Sequence, residues 1–208
     1  VYAVLYGDIL MHLSNQVRPY EINPGDTDRL TDNWIKKISR ELKGRSLLNK
    51  NRFKKNMWQI ASEFADIPVR REEKVKVGIV GEIYMKYSPL GNNNLEAFLQ
   101  QEDVEIEIPG LMDFVIYTCD NTATDTKLYG MKKGVSIITR IVKNYLANMK
   151  NILIEAVKSQ PCFRAPSSYD HVKSLVKGYI GTGAKMGEGW LLTAEMLDLI
   201  TSGVENII

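Results

Sequence analysis

Val4, Leu5, Ile9 and Leu13 recur at helical spacing and predict a helix at the start of the chain. Arg18-Pro19 interrupts it, because a residue before proline avoids the α region. Pro24-Gly25 predicts a turn, with Asp26 or Thr27 capping the next helix. That helix carries Leu30, Trp34, Ile38 and Leu42 on one stripe and ends near Gly44. Ser46 is the expected cap of a third helix, with Phe53, Met57, Ile60, Ala61 and Phe64 facing inward. Pro68 and the charged run Arg70-Arg71-Glu72-Glu73 close this helical part.

The pattern then changes. Val75, Val77, Ile79 and Val80 form a short β-branched run ending at Gly81. Asn93 followed three residues later by Glu96 fits a capping box, and Leu95, Phe98 and Leu99 give that helix an apolar face. Val104, Ile106 and Ile108 alternate with Glu105 and Glu107, which is strand patterning. Strand, helix and strand predict a βαβ unit, hence a parallel pair with a right-handed crossover. Ile137, Ile138, Ile141, Val142 and Tyr145 begin a long helix running towards Val157. Ser167 or Ser168 caps the next, and Gly181 to Gly189 reads as a flexible stretch. Trp190, Leu191, Ala194, Leu197, Leu199 and Ile200 line a last helix that stops at Gly203. Val204, Ile207 and Ile208 look like the start of another strand. The expected fold class is α/β: a small parallel sheet of βαβ units flanked by many helices.

Composition agrees with a globular fold: 44% of the 208 residues are hydrophobic and 25% charged. No apolar run reaches the roughly 18 residues of a membrane span, and no secretory signal is expected, since no charged n-region precedes an apolar h-region. Cys119 and Cys162 cannot make a disulfide framework or a four-ligand metal site; a free buried thiol in a reducing compartment is expected. The first residues, Val1-Tyr2-Ala3, and the last, Asn206-Ile207-Ile208, read as cut ends of a segment from a longer polypeptide, truncated at its C-terminus.

The net charge of +2 hides a polarity. Lys36, Lys37, Arg40, Lys43, Arg45, Lys50, Arg52, Lys54 and Lys55 face a single acid, Glu41. From Tyr87 to Thr126 there is no Lys or Arg, but Glu96, Glu102, Asp103, Glu105, Glu107, Asp113, Asp120 and Asp125 occur. The polarity is either a binding surface or two solvated faces.

Two stretches could carry chemistry. The turn from Gly81-Glu82 to Asn94 follows a strand and leads into a helix start, where free N–H groups attract anions. Glu82 would sit at its mouth as an acceptor or acid; the alternative is an ordinary crossover loop with an Asn cap. Gly181 to Gly189 is either a phosphate cradle or a linker, and it lacks a P-loop ending. His12 and His171 have no partner at ligand spacing and read as structural or surface residues. Trp34, Trp58 and Trp190 lie on apolar stripes and read as core. Hydrolase chemistry has no support, because no G-x-S-x-G elbow is present.

Several motifs resemble one family. They are Arg18-Pro19-Tyr20-Glu21, Gly78-Ile79-Val80-Gly81-Glu82-Ile83-Tyr84, Ser88-Pro89-Leu90-Gly91-Asn92-Asn93, Pro109-Gly110-Leu111-Met112-Asp113-Phe114 and Gly187-Glu188-Gly189-Trp190-Leu191-Leu192-Thr193-Ala194-Glu195-Met196. Together they resemble the dehydratase-like part of the acyl-CoA dehydratase activase-related proteins, or CoA-substrate-specific enzyme activases. That part is similar to the D-component of 2-hydroxyglutaryl-CoA dehydratase. The resemblance spans nearly the whole chain.

The resemblance implies a dehydratase-like module serving iron–sulfur electron transfer or acyl-CoA-related binding in the intact protein. The other reading is a non-catalytic docking or regulatory module for a partner subunit. Lyase or activase chemistry is implied for the whole protein, with the isolated fragment inactive. The implied substrate-binding residues are Gly81, Glu82, Ser88, Asn92, Asn93, Asn94, Gly187, Glu188, Thr193 and Glu195. Cys119 is the one internal candidate ligand for a [4Fe–4S] cluster, and no cofactor is expected on the fragment itself. Implied partners are activator ATPase modules, in the same polypeptide or a partner subunit, and an acyl-CoA, with neither membrane nor nucleic acid. The implied location is cytoplasmic. Residues 1–70 are expected to be mainly helical and 71–208 α/β, packed as one domain. The 81–94 loop and the 187–195 segment should converge on one crevice.

Overall fold

The computed structural model describes residues 1–43, 49–70, 72–130 and 133–208. Its elements are α1 (Tyr2–Val17), α2 (Asp26–Lys43), α3 (Lys50–Ala65), β1 (Lys76–Gly78), α4 (Ile83–Tyr87), α5 (Leu95–Gln101), β2 (Glu105–Glu107), α6 (Leu111–Tyr129), α7 (Lys133–Lys158), α8 (Tyr169–Leu175), α9 (Gly189–Thr201) and β3 (Asn206–Ile207). The three strands form one parallel sheet in the order β2-β1-β3. Val77 pairs with Ile106 on one side and Asn206 on the other. The chain is therefore α/β, with helices dominating. No helix among the described residues is long and apolar enough to cross a membrane.

The first three helices follow their stripes. Trp34, Ile38, Phe53, Met57, Ile60, Ala61 and Phe64 are buried with Leu5, Ile9 and Leu13 of α1. The start of α2 is held differently from expectation. Glu21 reaches forward, and its carboxylate accepts from Gly25 N at 2.5 Å and Thr27 N at 2.8 Å. The predicted stop at Gly44 and cap at Ser46 lie outside the described residues. The third helix is capped by Asn49, whose Oδ1 accepts from the Asn51 and Arg52 amides.

A separate apolar cluster sits on the sheet: Val77, Ile79, Leu99, Ile106 and Ile108, with Met11 of α1 packed against it. Glu105 and Glu107 do not face water as their alternation suggested. Glu105 is buried, and Arg164 bridges both carboxylates, with 2.8 Å to Glu107. Tyr20 also donates its hydroxyl to Glu105 at 2.6 Å. Both faces of this parallel sheet are thus covered, as parallel sheets require.

Helix α6 is not announced by any apolar period. It packs along α7 and under α1. Its acids turn inward, one by one, to cations from later in the chain. Lys150 of α7 donates to both Asp113 oxygens at 2.6 and 2.7 Å. Lys173 of α8 pairs with Asp120, which also accepts from Tyr169 Oη at 3.0 Å. Lys185, before α9, pairs with Asp125. The acidic run is therefore neither a solvated face nor an open binding surface. It is largely an internal row of counter-ions. Trp190 closes the row from α9: it is fully buried, with Tyr117 at 5.1 Å and Tyr169 at 6.3 Å between ring centroids.

Two further expectations change. Ile137, Ile138, Ile141, Val142 and Tyr145 do begin a long helix, but they are 40 to 64% exposed. The cysteines are not buried: Cys119 is half-buried and Cys162 exposed.

Removing one partner of the most buried pair on α6 isolates a charge. Asp113→Ala should lower unfolding free energy by about 3–5 kcal/mol. Adding Lys150→Met to that variant should restore most of the loss. Urea unfolding followed by tryptophan fluorescence measures both; a single-variant cost below about 1 kcal/mol contradicts the assignment.

Candidate functional site

The carboxyl ends of the strands are where an open α/β sheet receives ligands. Here β1 runs out through Ile79 and Val80, which stay hydrogen-bonded to Glu107 O and Ile208 O at 2.9 Å each. The chain then turns into α4 instead of the predicted open loop. This short helix starts after Glu82 and ends before Ser88-Pro89. It places Lys86 inward, almost fully buried, where it donates to both Glu195 oxygens of α9 at 2.8 Å. The neighbouring Tyr87 donates its hydroxyl to Pro109 O beyond β2.

The two predicted segments therefore meet. Glu188 adds a second contact, since its carboxylate accepts from the Ile83 amide at the start of α4. Burial pushes the Glu188 carboxyl up, opposed by Lys86 and reinforced by the nearby Glu82.

Behind Glu195 lies a cavity of about 50 Å³, lined by Asp8, His12, Asp113, Lys150, Ser167 and Asp198 among others. Asp8 is the only charged residue among the first 17, and it caps α6 from a distance. Its Oδ1 accepts from Leu111 N and its Oδ2 from Met112 N, both at 2.9 Å. Gly110 leaves room for this: a Cβ there would stand 2.9 Å from Asp8 Oδ2. Burial pushes the Asp8 carboxyl up to about 6 in spite of both amides. Burial likewise pushes Glu195 up to about 7, outweighing the attraction of Lys86. Asp198 is raised by burial too. Burial lowers the pKa of the His12 ring, whose Nε2 lies 2.6 Å from Arg164 O. The cavity is a small, acid-rich interior, and burial there raises the carboxyls of Asp8, Glu195 and Asp198.

The other predicted residues divide. Gly81, Ser88 and Asn92 are partly exposed, while Glu82, Asn93, Asn94 and Gly187 stand in the open, and none of them lines the cavity. Asn93 is not the helix cap. Both Asn93 and Asn94 adopt left-handed backbone, at φ 56° and 58°. Asn92 Oδ1 instead accepts from Leu95 N at 3.3 Å, so that amide is not free for an anion. Thr193 turns its hydroxyl back to Gly189 O at 3.1 Å within α9.

The glycine stretch is a chain of hydrogen-bonded turns. Lys185 N donates to Gly183 O and Trp190 N to Ala184 O. Its amides serve the loop itself, which argues against a phosphate cradle. Gly189 is needed for close approach, because a Cβ would stand 2.8 Å from Ala184 O.

Iron–sulfur ligation can be tested against the thiols. Cys119 projects from α6 against the helical core, and burial raises its thiol, the wrong direction for a thiolate ligand. Cys162 lies near Arg164, at the opposite end of the sheet. Among the described residues no group of three or more His, Cys, Asp or Glu side chains could hold a metal. The residues do not fit a cluster held within this chain.

A larger cavity, about 530 Å³, opens at the amino ends of the strands beside Lys76, Glu105 and Asn206. Sequence reasoning placed nothing there. Several of its charges are already matched: Lys74 pairs with Glu72 at 2.9 Å and Asp103 at 2.5 Å, and Arg164 with Glu105.

Reasoning from sequence missed Lys86, Asp8, Lys150 and Asp198. A signal existed for Asp8, a lone charge in an otherwise apolar helix. For Lys86 it was the last cation before a cation-free stretch. Comparison with family models, with curated proteins and with solved structures found no match.

The raised carboxyl of Glu195 makes stability depend on pH. The folded state binds the proton more tightly, so this stabilisation is full below about 4.5 and is lost as pH rises to about 7. Glu195→Gln should remove that part of the profile. Denaturant unfolding between pH 4 and 8 should show wild type losing up to about 3 kcal/mol relative to the variant across this window. Parallel profiles would contradict the assignment.

Proposed function

We propose that the chain is part of a dehydratase-like module in a 2-hydroxyacyl-CoA dehydratase activator-type protein, and that the carboxyl-end face of the sheet is its working face. The observation that carries the reading is the buried Lys86–Glu195 pair, which joins the two segments whose motifs resemble that family. The pair fixes α4 against α9 and so sets the rim made by Glu82, Ser88, Asn92, Asn93 and Glu188.

The 50 Å³ cavity holds a water-sized group, not a thioester. An acyl-CoA would therefore lie across the rim. The exposed amides of Asn93 and Asn94 supply donors and acceptors to its polar groups. Glu195 and Asp8, both raised by burial, supply carboxyls able to hold a proton near neutral pH behind the rim. Electron transfer through a cluster would need thiolates from outside this chain.

A docking role is the second reading, and one observation favours it. With most of the acidic run turned inward, the basic hairpin stays outside: Lys36, Arg40, Lys43, Lys50, Lys54 and Lys55 are exposed on α2 and α3. Such a face suits an acidic partner surface.

Calorimetric titration with a 2-hydroxyacyl-CoA, with free CoA as control, tests the first reading. The thioester should bind this chain, and Glu82→Ala with Asn93→Ala should weaken it about tenfold. No binding, or binding equal in the variant, overturns it.

A further inference from the structure

The start of α7 carries an apolar face left open among the described residues. Val135, Ile137, Ile138, Ile141, Val142 and Tyr145 are each 40 to 64% exposed. Val135, Ile138, Val142 and Tyr145 share one helical face and Ile137 and Ile141 adjoin it, whereas scattered apolar residues would be ordinary. Specific interfaces use roughly 800 Å² per partner, and six large side chains about half exposed supply a substantial part of that.

Two observations define what fits. The first is continuity. Ile138, Val142, Tyr145, Met149, Ile152 and Ala156 follow one another at every third or fourth position of α7, so they form one stripe. Its second half is buried, with Met149, Ile152 and Ala156 in the core that α7 shares with α1 and α3. Its first half stands clear of them, starting at Tyr145 beside Tyr2, where α1 begins. The occupant that extends this packing is another helix laid on the same stripe.

The second observation is charge. Between Asp125 and Glu155 the sequence has no acid. Lys127 and Arg140 are exposed beside the patch, and Lys143 is held by Asp170 at 2.6 Å. A second copy would bring the same cations against themselves. We infer that this face receives an amphipathic helix of a partner whose apolar stripe is flanked by Asp and Glu. This surface lies on α7, and the inference does not depend on the function proposed above.

The test uses a labelled helical peptide of about 18 residues, with leucine at every third and fourth position and glutamate on both flanks. A second peptide carries lysine on the flanks. Fluorescence anisotropy with this chain should show the glutamate peptide binding about tenfold or more tightly than the lysine peptide. Ile138→Glu with Ile141→Glu should abolish it. Both positions are exposed, so the variant should keep the circular dichroism and tryptophan fluorescence of the parent. No binding, equal binding of both peptides, or binding that survives the double substitution overturns the inference. Sedimentation showing a dimer that the same substitutions dissolve also overturns it, in favour of a second copy.

Discussion

The inward pairing of carboxylates with cations from later in the chain is the constraint on which this structure depends. Asp113, Asp120 and Asp125 on α6 each hold a lysine from a different later element: α7, α8 and the loop before α9. Arg164 does the same for the sheet through Glu105 and Glu107. Each ion is costly to bury alone, so the partners specify one register between elements more than they add net stability. Apolar contacts would let α8 and α9 slide over α6; Lys173 on Asp120 does not.

The same logic shapes the carboxyl-end face. Glu195 and Lys86 lock α9 to α4, and Asp8 ties α1 to the start of α6. α1, the start of α6, α7 and α9 line one small cavity, and α4 is tied to it only through Lys86 on Glu195. Burial outweighs the nearby cation at Glu195 and the capped amides at Asp8. The pair that positions the rim is also the one with a carboxyl poised near neutrality.

Much of the fold was legible in the sequence, for a physical reason. The helices α1, α2, α3, α7 and α9 bury periodic stripes or parts of them, and the three strands carry β-branched runs, so local pattern reports them. α6 stayed hidden because its face mixes Asp113, Asp120 and Asp125 with Met112, Ile116 and Tyr117. Its partners lie 37 to 60 positions away, where no local window sees them. The alternation of Glu105 and Glu107 mimicked a solvent face for the same reason. The contact of residues 81–94 with 187–195 was anticipated from motifs as a shared crevice, but residues 81–94 do not line the cavity that Glu195 does. The residue that accomplishes it, Lys86, was not, because its role is set by a carboxylate 109 positions away. Asn93 was misread as a cap because left-handed backbone at two successive asparagines has no period to betray it.

The most direct measurement is carbodiimide-mediated amine labelling of carboxylates in the native protein, read residue by residue by mass spectrometry. Asp113, Asp120, Glu105 and Glu195 are buried and paired, whereas Glu102 and Asp103 are exposed. The first four should stay unlabelled while Glu102 and Asp103 react, and all should react once the chain is unfolded. Labelling of Asp113 and Asp120 at the native-state rate of Glu102 would show that the acidic run faces solvent, and would contradict the internal pairing on which the fold is argued to depend.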